Sequence, residues 1–227
     1  MAELPELASD AAAQAGDAAP EFFKPYPDLS VNFIYNLLFC DNISLFRSED
    51  DSVPGEPWRT LLQEPPDTHA LRVLSEDEAN ESRLRALACH RLFRTGAQVS
   101  GKRLFAVIVE VPLSHGLDVL AAYADGQVRY INHAGAMSFF DVGPGDVNVR
   151  ARRLVISAKP FVQQPGPCAK ARMAPPVGDR IRMSFVASDG LRVAEGRFDA
   201  LQKDARCGPV LAAALSLLQT INTTAQR

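Results

Sequence analysis

The strongest pattern along the chain is the alternation of apolar and polar positions between residues 104 and 141. Residues 104–111, Leu-Phe-Ala-Val-Ile-Val-Glu-Val, are apolar at both parities except at Glu110. Leu104, Ala106 and Ile108 fall on one face, and Phe105, Val107, Val109 and Val111 on the other. A strand that is apolar on both sides must be covered on both sides. Residues 112–116 lead into a second run at 117–124. Asp125-Gly126 then turns the chain into 127–132, and His133-Ala-Gly135 turns it into 136–141. This is the pattern of an antiparallel meander. A further hairpin is predicted for 180–187 and 191–198 across Ser188-Asp-Gly190.

Helical spacing flanks these strands. Ser30 is placed to cap a short helix carrying Val31, Ile34, Leu37 and Leu38, and Asp41 or Asn42 to cap a turn carrying Leu45 and Phe46. Residues 47–57 read as an acidic loop. Trp58, Leu61 and Leu62 share one side of the next helical group, and Asp67 can cap a turn running through Leu71 to Leu74. Ser75-Glu-Asp-Glu78 has the spacing of a capping box and predicts a helix to about Thr95, with Gly96 as its stop. Downstream, Asp146 is the expected cap of a helix with Val147, Ala151, Leu154, Val155, Ala158 and Val162 as its stripe, kinked or ended by Pro160. Residues 163–178 form a long Pro/Gly/Ala loop. The segment 208–224 closes the chain as an amphipathic helix through Val210, Leu211, Ala214, Leu217, Leu218 and Ile221.

The predicted fold class is therefore α+β: an antiparallel β-meander sheet of about six strands, two C-terminal helices on one face, and an N-terminal helical layer. Residues 1–28 read as an acidic tail, disordered to residue 20 and then extended along the body from 21 to 28. Residues 29–95 form the helical layer and 96–227 the sheet domain, with 29–227 one compact unit. One cover of 104–111 is then the pair of C-terminal helices. The other is the N-terminal layer or a second copy of the chain.

Composition adds limits. The 227 residues are 47% hydrophobic and 22% charged, enough to build a sizeable core. No run approaches the roughly 18 apolar residues that span a bilayer, and the first twenty lack the basic and apolar regions of a secretory signal. Cys40, Cys89, Cys168 and Cys207 form no C-x-x-C pair, which suits free thiols in a reducing cytoplasm. Nineteen Arg against five Lys, with abundant Ala, suit a GC-rich bacterial genome. The net charge of −3 divides unevenly: residues 1–81 carry seventeen acids and four bases, and 82–227 carry ten acids and twenty bases. Either the acidic half packs on the basic half, or the basic half faces an anionic partner.

Candidate chemistry is sparse. Glu110 is the one acid in the central strand, either buried with a raised pKa suited to acid–base work or placed at the strand end with its head in water. His115 and Asp118 are three apart and can pair as a metal or acid–base unit or simply meet as a turn contact. His133 follows Asn132 in a tight turn, with Arg129, Tyr130 and Asp141 expected nearby. Cys89 and His90 point about 100° apart on a helix and cannot form a nucleophile–base pair. Cys207 precedes a helix N-terminus, which would lower its thiol pKa. Between residues 146 and 182 eight bases, including Arg150 and Arg153, oppose two acids and offer an anion-binding surface if they converge. The acidic balance of the whole chain argues against nucleic acid.

No Walker loop, G-x-G-x-x-G, G-x-S-x-G, H-E-x-x-H or zinc-ligand cluster occurs. The expectation is a non-catalytic cytoplasmic protein that uses no cofactor or metal and acts through protein–protein contact, with a homodimer as its first assembly. A small-molecule or anion-binding protein, or an enzyme with its site at the meander turns among Glu110, His115, Arg129 and His133, is the alternative. Nucleic-acid binding through 146–182 is the third reading.

Overall fold

The computed structural model describes residues 21–47, 55–97, 99, 101–163 and 172–225. The expected tail at 1–20, most of the acidic loop, half of the 163–178 loop, Lys170 and Cys168 lie outside them. Six strands form one antiparallel sheet in the order β4-β3-β2-β1-β5-β6. They are β1 (Leu104–Leu113), β2 (Gly116–Tyr123), β3 (Val128–Ile131), β4 (Met137–Phe140), β5 (Arg180–Ala187) and β6 (Gly190–Arg197). The meander is β1 to β4, and the C-terminal hairpin joins its inner side through β5 against β1.

β1 is therefore central and dry on both faces. Ala106 and Ile108 pack with Tyr35 and Leu38 from the α1 segment and with Leu87 and Leu92 of α4. Val107 and Val109 pack with Leu154 of α5 and with Val210 and Leu217 of α8. These helices are α1 (Leu29–Leu37), α4 (Ser82–Arg94), α5 (Asp146–Ser157) and α8 (Cys207–Ala225), with the short α2 (Trp58–Leu62) and α3 (Thr68–Glu76) beside α4. The N-terminal layer, not a second copy, thus covers the second face. Phe105 departs from the expected alternation. Leu104 pairs with Ala187 but Ala106 with Val186, so Phe105 is an extra residue in a bulge. It lies on the side of Ala106 and Ile108, against the N-terminal layer.

Three tyrosine hydroxyls tie that layer to the sheet. Tyr35 donates to Glu110 Oε1 at 2.7 Å, Tyr26 to the Leu117 carbonyl at 2.7 Å, and Tyr123 to the Leu38 carbonyl at 2.9 Å. The segment 21–28 runs against α1, and two asparagines hold it. The Asn32 amide bonds both the N–H and the C=O of Tyr26, and Asn36 does the same for Phe23. Each side chain replaces the strand partner that this backbone lacks.

The helix caps differ from the sequence reading at three places. Asp28, not Ser30, caps α1, accepting from Ser30 N and Val31 N. Ser75 opens no helix: it sits in the last turn of α3, with its hydroxyl on the Arg72 carbonyl. α4 starts at Ser82 and takes its cap from the β2–β3 turn. Asp125 Oδ2 accepts from Ser82 N at 2.7 Å, and Ser82 Oγ accepts from Asp125 N at 3.0 Å. Asn42 and Asp67 cap their turns as predicted, and Gly96 ends α4 at φ 75°. Gly145, rather than Asp146, holds the N-cap position of α5.

At the other end, α6 (Pro160–Gln163) starts at the predicted break, and its Phe161 stacks on Phe185 at 4.0 Å. The sixth strand stops at Arg197, one residue short of its predicted end, because Phe198–Lys203 forms α7, a helix the sequence reading leaves out. Gly208 lets α8 begin against α7, since a Cβ there would lie 2.6 Å from the Gln202 carbonyl oxygen. Among the described residues no helix is long and apolar enough to cross a membrane.

The reciprocal Ser82–Asp125 cap gives a direct check. Asp125→Ala should lower stability by about 0.5–2 kcal/mol, the range for losing a helix cap. It should be read as a lower urea midpoint at unchanged slope; an unchanged midpoint would contradict the role assigned to the turn.

Candidate functional site

The sequence-derived candidates do not assemble into one site. Glu110 lies in the interior at 1% exposure, not at a wet strand end. Tyr35 donates to one carboxylate oxygen, and Oε2 has no hydrogen-bond partner among the described residues. Across the sheet its neighbour on β5 is Arg182, whose own neighbour on β6 is Glu195. Arg182 donates to Glu195 at 2.8 Å and to the Met173 carbonyl at 3.3 Å, so its charge is engaged beside Glu110. Arg172 is buried close by, stacked 4.4 Å over Phe39, with its Nη2 on the Glu21 carbonyl and the Asn36 side chain and its Nε 3.1 Å from Asp41. Burial raises the Glu110 pKa, against the opposing pull of the Tyr35 hydroxyl and the two guanidinium groups. The cluster pins the segments at 21 and 172–174 to the sheet.

His115 is exposed on the β1–β2 turn, and Asp118 turns away from it. Asp118 Oδ1 accepts from His133 N at 2.6 Å with His133 Nδ1 at 3.3 Å, while Oδ2 accepts from Tyr130 at 3.1 Å. Burial and Asp118 push the Tyr130 phenol up to about 12. The turn is fixed further by Asn132, which accepts from Ala134 N and Ala136 N. Gly116 makes room for it: a Cβ at that residue would meet the His133 carbonyl oxygen at 2.1 Å, and φ is 149°. Asp118 therefore works as a clamp that joins the two turns.

The basic segment does not converge. Arg150 donates to Ser216 of α8, Arg152 to the Asp125 and Gly143 carbonyls, and Arg180 to Glu195. Arg153 stays exposed on α5. Ion pairs that join the acidic and basic halves include Arg91–Glu64 and Arg172–Asp41; Arg129, Arg180, Arg182, Arg192 and Arg197 pair with acids of their own half. Cys40, Cys89 and Cys207 are free and buried. Burial and Asp204 push the Cys207 thiol up to about 11, the reverse of the lowering expected at a helix N-terminus. Burial and Arg94 hold His90 down at about 4. Among the described residues no cluster of three or more His, Cys, Asp or Glu can hold a metal.

Among the described residues the surface offers an apolar feature. Between α1 and the edge strand β4 runs an open groove of about 510 Å³ lined by Leu29, Ser30, Phe33, Ile34, Met137 and Phe139. Leu29 is 68% exposed, Phe33 40%, Met137 37% and Phe139 50%. Of the sequence candidates only Arg129 borders it, stacking 5.3 Å from the Phe139 ring while pairing with Asp141 at 2.9 Å. The sequence reading placed no site here, yet a signal exists. Val31 and Tyr35 supply the inner face of α1, and Leu29 and Phe33, also four apart, make its outer face apolar too. Contiguous exposed apolar surface of this kind marks interaction sites more often than chance.

No protein-family model matches the chain, and a search of the curated proteins finds no match.

The buried carboxyl makes a pH-dependent prediction. A raised folded-state pKa means that Glu110 favours the folded chain while protonated and loses that contribution as pH rises through its folded value. Glu110→Gln keeps an acceptor for Tyr35 and removes the buried charge, so it should raise the melting temperature at pH 8. The gain should vanish at a pH below about 4.5, the ordinary value for Glu. A destabilised variant at pH 8 would contradict the assignment.

Proposed function

We propose that this is a non-catalytic cytoplasmic protein that acts through protein–protein contact, self-associating through the surface formed by α1 and β4. The observation that carries the reading is the groove itself: four exposed large apolar side chains, Leu29, Phe33, Met137 and Phe139, gathered from two elements onto one edge of the sheet. Interfaces are enriched in Phe and Met and depleted of charge at their centre; Phe33, Met137 and Phe139 match that enrichment, and none of the four is charged. The polar candidates support the same reading from the other side. Glu110 is shielded by Tyr35, Asp118 clamps a turn, and most of the arginines near them bind carbonyls and carboxylates of the same chain. Neither arrangement pairs an accessible nucleophile with a base.

Static light scattering across the micromolar range tests this reading. The chain should run as a dimer at the upper end, and Phe33→Asp should shift it to monomer without lowering the melting temperature, because Phe33 faces the groove and not the core. A wild-type chain that stays monomeric throughout would contradict self-association.

A further inference from the structure

The two edges of the sheet are built differently. β6 carries Arg192, Glu195 and Arg197, all ion-paired, along its length. β4 reads Met-Ser-Phe-Phe, with no charge, no proline and no glycine, and its register with β3 runs without a bulge. Sheet edges are normally protected from strand addition by charged residues, prolines or bulges. β6 has the first of these devices; β4 has none of the three and is protected only by its shortness, four residues from Met137 to Phe140.

The direction of the β4 peptide groups sharpens the contrast. Asn132 N donates to the Ala136 carbonyl across the β3–β4 turn, and Tyr130 pairs with Ser138. Antiparallel ladders alternate, so Ser138 and Phe140 point their N–H and C=O groups at β3, and Met137 and Phe139 point theirs out from the sheet. Those same two residues supply the exposed side chains of the groove floor. Among the described residues, backbone groups without a strand partner and exposed apolar side chains therefore coincide on one short edge.

We propose that β4 pairs antiparallel with β4 of a second copy, about a twofold axis through Ser138, joining two sheets into one. This rests on the self-association reading and specifies its surface and register. A twofold contact must be self-complementary. Centring it on Ser138 sets Met137 opposite Phe139 of the second copy and the reverse, so both outward-facing residues on each strand bond in full. Centring it one residue away in either direction would leave one of them facing Gly135 or Asp141 across the axis. With Ser138 at the centre, Asp141 falls opposite Gly135 of the second copy, so no acid meets an acid, and each Asp141 keeps its own Arg129. The two grooves merge into one trough with an α1 helix as each wall.

The register makes the test sharp. Facing residues in a non-hydrogen-bonded pair have Cα atoms about 4.5 Å apart, inside the range that a disulfide spans. In a Cys168→Ser background, Ser138→Cys should form an interchain disulfide under mild oxidation, near completion and at an unchanged rate on dilution wherever scattering reports a dimer. Leu29→Cys, on the outer wall of the trough, should cross-link far less. A dimer in which Leu29→Cys links and Ser138→Cys does not would overturn the strand pairing and leave protein–protein contact through α1 standing. A chain monomeric by scattering, with or without slow collisional cross-linking, would overturn both.

Discussion

Everything in this structure follows from a strand with two dry faces. β1 sits at the centre of the sheet order and carries Phe105, Ala106 and Ile108 toward one core and Val107 and Val109 toward another. Burying one large aliphatic side chain is worth about 1.5–3 kcal/mol, so neither face of β1 can be left to water. The C-terminal helices α5 and α8 close one side, and α1 with α4 closes the other. The N-terminal layer is thus held by the sheet's need for cover, and the tyrosine hydroxyls of Tyr26, Tyr35 and Tyr123 set where it sits.

The same constraint explains the interior polar cluster. Position 110 faces the N-terminal layer, and a carboxylate placed there needs partners. Tyr35 from α1 provides the hydrogen bond, Arg182 of β5 lies beside it with its charge engaged by Glu195, and Arg172 draws the extended segments over the site. Buried ionic groups of this kind add little net stability, because desolvation offsets their attraction. Their effect here is positional, since Arg172 reaches α1 and the 21–28 segment at once, and Arg182 reaches the chain at 173–174. Cover also runs out. α1 lies beside β4 without closing over it, and the uncovered strip between them is the apolar groove.

Much of the architecture was legible in the chain, because periodicity reports burial directly. The two-sided run at 104–111, the Asp-Gly turns, and the stripe from Val147 to Val162 each appear where their spacing places them. What escaped had no local signature. The bulge at Phe105 depends on its register against β5, which no spacing within β1 encodes. The Ser75 box has the right residues, but α4 begins seven positions later because Asp125, more than forty residues away, supplies the cap. Arg182 becomes the neighbour of Glu110 only once β5 is known to lie against β1. The groove was hidden for a different reason: helical spacing assigns Ile34 to the buried stripe of α1, whereas it lines the groove beside Leu29 and Phe33.

Native-state amide hydrogen exchange, residue by residue, tests the central claim most directly. If β1 is held from both sides, the amides of Val107, Ile108 and Val109 should exchange only through global unfolding, with the free energy that denaturant unfolding gives. Exchange of those amides at a much lower free energy, through separate opening of the N-terminal layer, would contradict it.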